Sequence, residues 1–262
     1  MSFRLLFVGD VVGPAGCAAV LDLVPRLREE LALDAVVVNA ENSAPTGRGI
    51  TRESGSSLLS VADFLTLGNH AFDAEGYRQF FEEESRVVRP ANFGEKDPGL
   101  GGGLFQAGGV TVGVTNVLGR VFVERTKTSP FEAANRAVAA LREDGADLVL
   151  VDSHAEATSE KLALAHYLDG RVQAVLGTHT HVPTADLSVL PGGTAYVTDV
   201  GMTGCRDSII GFERDDFLAL FLGGWRGISV ANHGPVSFNA ALVEFDAGRA
   251  VGVEAVRREW KP

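Results

Sequence analysis

The sequence predicts an α/β fold of two mixed β-sheets packed face to face, with helices on the outside. Three observations predict it. Short apolar runs recur along the chain and are nearly continuous rather than alternating, as in parallel strands buried on both faces. Stretches with helical spacing lie between them, the pattern of strand and crossover-helix units. Toward the C-terminus alternating strands and Gly-containing turns appear instead, which calls for antiparallel pairing as well.

The first run, Arg4-Leu5-Leu6-Phe7-Val8, is followed at once by Gly9 and Asp10, so a carboxylate stands at the strand's carboxyl end. The chain turns through Gly13-Pro14-Ala15-Gly16, and from residue 17 to residue 31 Val20, Leu23, Val24, Leu27 and Leu31 mark an amphipathic helix. The glycines lack the GxGxxG spacing of a dinucleotide loop. A second strand over 35–39 runs into Ala40-Glu41-Asn42 and a loop over 43–51, where backbone N–H groups and Arg48 suit either an anion or a plain turn. The third strand, 64–67, ends in Gly68-Asn69-His70, and a helix follows over 74–84.

Gly99-Leu100-Gly101-Gly102-Gly103 leads into a hairpin of strands 103–107 and 110–115 joined by Gly108-Gly109. A helix over 130–143, with Ser129 as N-cap, precedes a strand over 147–151 that ends in Asp152-Ser153-His154. Another over 159–168, capped by Thr158 or Ser159, precedes a strand over 172–176 that ends in Gly177-Thr178-His179-Thr180-His181. Strands over 194–198, 236–245 and 250–257 complete the pattern, the last two joined at Asp246-Ala247-Gly248-Arg249. The apolar stretch 217–222 suits the core better than an interface.

At 262 residues and 45% hydrophobic content the chain suits one large domain spanning 1–262. Its apolar runs fall far short of a membrane span, and its N-terminus lacks a signal-peptide layout. Cys17 and Cys205 are too few for a disulfide framework, which points to a reducing, cytoplasmic setting. The formal charge of -11 speaks against a duplex nucleic-acid binder but not against a small phosphorylated substrate.

Five strand ends carry potential ligands: Asp10, Glu41 with Asn42, Asn69 with His70, His154, and His179 with His181. Ligands of open α/β sheets bind beyond the carboxyl ends of strands. An oxygen and nitrogen set without thiolate suits Fe, Mn, Co or Zn. The residues are too many for one ion and about enough for two, an arrangement that favours phosphoester hydrolysis. His166, on a helix, and His233 lie outside this set.

In order and spacing these motifs resemble the calcineurin-like metallophosphoesterases, and most closely their YmdB-type branch of bacterial cyclic-nucleotide phosphodiesterases. Asn116-Val117-Leu118-Gly119-Arg120-Val121-Phe122, residues 154–161 and residues 196–202 look like that branch too. The resemblance implies a four-layer metallophosphoesterase sandwich. The wider superfamily opens with DxH, and here Val12 stands in place of that histidine. In the branch, Asn42 is taken to supply the missing ligand and Glu41 to replace a bridging aspartate. The implied ligand sets are Asp10, Glu41, Asn42 and His181 for one metal, and Glu41, Asn69, His154 and His179 for the other. His70 is assigned to leaving-group protonation, with orientation of a neighbouring ligand as its plainer alternative.

The activity implied is in-line attack by metal-bound hydroxide on a small cyclic nucleotide, 2',3'-cyclic first and 3',5'-cyclic AMP second. Iron or manganese is the expected metal pair, with zinc, cobalt and magnesium compatible. The ligands alone admit a phosphomonoesterase or nucleotidase, and a metal-stabilised regulatory binding protein is a third reading. Self-association, absent membranes and absent duplex nucleic acid are further expectations. Arg48, Asn116 and Arg120 are the candidate pocket walls.

Overall fold

The computed structural model describes residues 2–123, 125–224 and 227–262. Its strands are β1 (Phe3–Val8), β2 (Ala35–Asn39), β3 (Phe64–Thr66), β4 (Val87–Val88), β5 (Gly102–Ala107), β6 (Val110–Leu118), β7 (Leu148–His154), β8 (Ala174–Thr178), β9 (Ser188–Val189), β10 (Ala195–Val197), β11 (Gly204–Cys205), β12 (Val236–Asp246) and β13 (Arg249–Trp260). The helices are α1 (Gly13–Glu30), α2 (Arg52–Leu58), α3 (Tyr77–Glu83), α4 (Pro130–Glu143), α5 (Thr158–Leu168) and α6 (Arg214–Phe221).

One sheet runs β11-β12-β1-β2-β3-β4 with β13 paired to β12, and the other runs β5-β6-β7-β8-β10-β9. Both are mixed. β1, β2 and β3 are parallel while β12 lies antiparallel to β1, and β6, β7, β8 and β10 are parallel while β5 and β9 are antiparallel edges.

Strand alternation sorts the side chains into layers. Leu5 and Phe7 of β1, with Val37 and Phe64, face Val112, Val114, Leu148, Leu150 and Leu176 of the second sheet. Leu6, Val8, Val36 and Val38 point the other way, onto Val20, Val24 and Leu27 of α1. Beyond the second sheet, Val149, Val151 and Val175 pack on Ala134, Val138 and Leu141 of α4 and Leu164 and Leu168 of α5. Helix, sheet, sheet, helix is the predicted four-layer order. Each fully buried Val, Leu or Phe contributes about 1.5–3 kcal/mol, so the three interfaces dominate the stabilisation.

Several local expectations are corrected. α1 starts four residues early, because Pro14 lies at its first turn, where a missing N–H costs nothing. α3 spans only Tyr77–Glu83. Neither Ser129 nor Thr158 caps through its side chain, and the residue before α5 is Ala157. α2, with a Thr51–Ser54 capping box, and the two-residue β4 carry too short a pattern to be legible. The stretch 217–222 is not core. It belongs mostly to α6, which buries no residue and leaves Phe221 77% and Leu222 84% exposed.

Candidate metal centre

β1, β2, β3, β7 and β8 end on the same side of the sandwich, and there the structure brings the predicted residues together. Glycines make the approach close enough. A Cβ on Gly9 would lie 1.8 Å from the Gly201 carbonyl oxygen, one on Gly177 would lie 1.7 Å from that of Thr198, and one on Gly68 would lie 2.1 Å from Glu41 Oε2 and 2.3 Å from His154 Nε2. His179 and His181 adopt φ of 94° and 66°, a left-handed backbone that non-glycine residues rarely take. Such conformations cost about 1–3 kcal/mol each and cluster at functional sites.

Two groups of donor atoms result. In one, His154 Nε2 lies 3.0 Å from Glu41 Oε1, 3.1 Å from Asn69 Oδ1 and 3.1 Å from His179 Nδ1. One N–H cannot serve three acceptors at these distances; one cation can. In the other, His181 Nε2 lies 3.2 Å from Asn42 Oδ1 and 3.9 Å from Asp10 Oδ1. Asp10 also accepts the backbone N–H of His179 at 3.2 Å.

The remaining nitrogen of each imidazole is fixed by a neighbour. Thr178 Oγ1 donates to Asp152 and so accepts His154 Nδ1–H at 2.8 Å. His181 Nδ1–H donates to the Ile210 carbonyl at 2.7 Å, and His179 Nε2 faces Glu156 at 3.2 Å. Neutral imidazoles held this way direct their lone pairs at His154 Nε2, His179 Nδ1 and His181 Nε2 into the two groups, as outer partners do for metal-bound histidines. Asn42 Nδ2 donates to the Gly47 carbonyl, which aims Oδ1 at His181. The donor set therefore fits metal ions, and the Gly68 cradle is space that a Cβ would fill.

Electrostatics agree. Burial pushes Asp10 up to about 6 against the pull of His181 and His154. Burial also works against the Glu41 carboxylate, but His154, His70 and His179 hold it down to about 2. Burial disfavours the His154 cation, yet Glu41, Asp10 and Asp152 raise it to about 9, while burial and the facing His154 push His179 down to about 3. These carboxylates thus favour a proton on His154. That proton must leave when a metal takes Nε2, so metal affinity weakens as pH falls below about 9. At pH 8 metal uptake should release roughly one proton per chain. Calorimetry in buffers of different ionisation enthalpy measures this count, and a value near zero contradicts the assignment of Nε2 as ligand.

His70 stands beside the groups. Its backbone N–H donates to Glu41 Oε2 at 3.2 Å, and its Nδ1 lies 2.7 Å from Asp73 Oδ2. Burial opposes the Asp73 charge, but hydrogen bonds from His70 and Arg125 hold its pKa below the usual value. Arg125 reaches both Asp73 Oδ1 and the Asn69 carbonyl at 2.7 Å, tying the two residues together.

A cleft of about 300 Å³ opens over the centre, with Arg48, Phe212 and Phe217 in its walls along with Glu41, Asn42, His70, His179 and His181. Of the three predicted wall residues only Arg48 lines it. Asn116 is fully buried, with Nδ2 3.4 Å from the Asp152 carbonyl, and Arg120 places its backbone N–H on Glu160. His166 and His233 are exposed and apart from the site.

Sequence reasoning missed the supporting residues. Asp152 lies inside β7 rather than beyond it, and accepts from Asn39, Thr66 and Thr178, bonding the two sheets beneath the ligands. A carboxylate directly after the apolar run 148–151 and two residues before His154 was the available signal. Asp73, three residues after His70, gave only its spacing.

Two sheets whose parallel strands end together on converged His, Asn and carboxylate donors are the architecture of the calcineurin-like metallophosphoesterases. Within that class the chain belongs to the YmdB-like protein family, whose model matches residues 6–256. It is 40% identical over 256 residues, 97% of this chain and 96% of the relative, to a 2',3'-cyclic-nucleotide 2'-phosphodiesterase of Bacillus subtilis (strain 168). Among solved structures, a hypothetical protein of Thermus thermophilus superposes with a TM-score of 0.91 at 45% identity, covering 99% of this chain and 100% of that one. A Mycoplasma pneumoniae protein described as a novel phosphatase gives 0.91 at 32% identity, covering 100% and 95%.

Proposed function

We propose that this chain is a dinuclear-metal phosphodiesterase that opens small cyclic nucleotides, 2',3'-cyclic nucleotides first among them. In this reading Asp10, Asn42 and His181 would hold one ion, Asn69, His154 and His179 the other, and Glu41 would serve both. The observation that carries it is the pair of donor groups in which each imidazole has its second nitrogen occupied by an outer partner. The activity of the Bacillus subtilis relative supports the diester substrate.

Bound ions would supply an activated water and positive charge against the phosphate oxygens. The chain's own residues do the rest. His70, oriented by its Nδ1 on Asp73, would in its protonated form give the Nε2 proton to the leaving ribose oxygen and become the neutral imidazole. Arg48 offers positive charge at the mouth of the cleft, and Phe212 and Phe217, with ring centroids 5.9 Å apart, offer an apolar wall suited to a nucleobase. A cleft of about 300 Å³ is on the scale of a small-molecule site and suits a nucleotide-sized ligand.

Iron or manganese suits the ligands, and a cytoplasmic setting, self-association and one catalytic domain over 1–262 belong to the same reading. No helix among the described residues is long and apolar enough to cross a membrane. The test compares turnover of 2',3'-cyclic AMP and 3'-AMP by protein loaded with Mn, with metal content per chain measured alongside. Two ions and a preference for the cyclic diester are expected. A strong preference for the monoester would make this a phosphatase, and two ions with no turnover of either would leave a binding role.

A further inference from the structure

Two stretches that look like the family, 154–161 and 196–202, contribute only His154 to the proposed ligand sets. Each also supplies one half of a buried ion pair. Lys161 of α5 is fully buried, and its Nζ donates to Asp199 Oδ2 at 2.7 Å and to the Thr178 carbonyl at 2.6 Å. Asp199, 1% exposed, follows β10. Its Oδ2 also accepts the Thr180 backbone N–H at 3.1 Å and the Thr180 hydroxyl at 2.8 Å, while Oδ1 accepts Gly201 N–H at 2.9 Å.

The backbone on both sides of His179 is therefore gripped by one salt bridge: Thr178 by the ammonium, Thr180 by the carboxylate. Thr180 separates the two histidines whose backbones are left-handed. The grip extends to the other sheet. Past Gly201, Met202 N–H donates to the His181 carbonyl at 3.1 Å and Thr203 N–H to the Asp10 carbonyl at 2.8 Å. A buried ion pair is weak evidence for net stability, since desolvation offsets much of the attraction. What this one supplies is geometry: it fixes a turn that an unrestrained chain would relax.

We infer that Lys161 and Asp199 are a positioning pair that holds the 177–181 turn in the conformation presenting both imidazoles to the metals. The inference rests on the metal-centre reading above. Among the described residues neither hydrogen-bonds a donor atom of the proposed ligands; the pair grips Thr178 and Thr180, and its opposite charges also bear on His179 and Asp10.

The decisive measurement is Mn²⁺ affinity by calorimetry, with thermal unfolding of the metal-free chain as the control for folding. Lys161→Met alone strands a buried carboxylate and can unfold the chain, so the primary variant is Lys161→Met/Asp199→Asn, which buries no net charge. It should bind Mn²⁺ at least about tenfold more weakly than wild type, the scale on which outer partners act, while the metal-free melting temperature stays within a few degrees. Thr180→Val, which removes only the hydroxyl facing Asp199, should weaken Mn²⁺ binding in the same direction, by roughly threefold or more. Wild-type affinity in a folded double variant would overturn the inference. Should that variant not fold, Thr180→Val decides alone, and unchanged affinity there overturns it. Failure of the wild type itself to bind Mn²⁺ would instead remove the metal centre.

Discussion

Replacing His70 by Ala should lower turnover of 2',3'-cyclic AMP by about 10²–10⁴-fold while leaving the metal content per chain unchanged, the span expected for loss of a positioned proton donor. The geometry separates these two effects. His70 contacts the centre through its backbone N–H on Glu41 Oε2, which Ala retains, whereas its ring is held by Asp73. The lost function is therefore the proton and not the scaffold. Metal analysis together with steady-state rates checks this, and normal turnover in a two-metal variant would exclude His70 from the reaction.

Gly68→Ala should be as damaging by a different route. The added methyl carbon would lie 2.1 Å from Glu41 Oε2 and 2.3 Å from His154 Nε2, inside contact distance of two proposed ligands. Neither can retreat, because Glu41 is 1% exposed and His154 is fully buried between Thr178 and its partners. One ion per chain should be lost and turnover should fall by at least about a hundredfold, as expected when ligand geometry is displaced. Metal content per chain reads this directly. A folded variant that keeps two ions would show that the cradle has room the distances deny.

The layers and the convergence of the strand-end His, Asn and carboxylate residues were legible because both follow from short-range pattern. β2 and β7 are buried along their whole length, so their apolar runs stood out, and the proposed ligands follow the break where apolar residues give way to polar ones. What stayed hidden depends on contacts far apart in sequence. Asp152 finds Asn39 across 113 positions, and Lys161 finds Asp199 across 38. α6 misled for a related reason: the stretch 217–222 has the composition of a core, yet Phe217 is no more than half-buried against Phe212, and Leu218, Leu220, Phe221 and Leu222 stay exposed. Composition records what a segment could bury, not whether a partner reaches it.

The pairing of β1 with β12 sets an order of assembly. Val8 is registered with Ala240, Gly9 N–H donates to the Asn239 carbonyl, and Thr203 holds the Asp10 carbonyl. A chain emerging from the ribosome can close β6, β7 and β8 among themselves, since these strands are near neighbours in sequence. Asp10, made long before them, gains its seat only when a strand more than two hundred residues later has arrived. Contacts this distant form late and slowly. A nascent chain therefore carries Asp10 and Glu41 for most of its synthesis before His179, His181 and the β12 strand that pairs with β1 have been made.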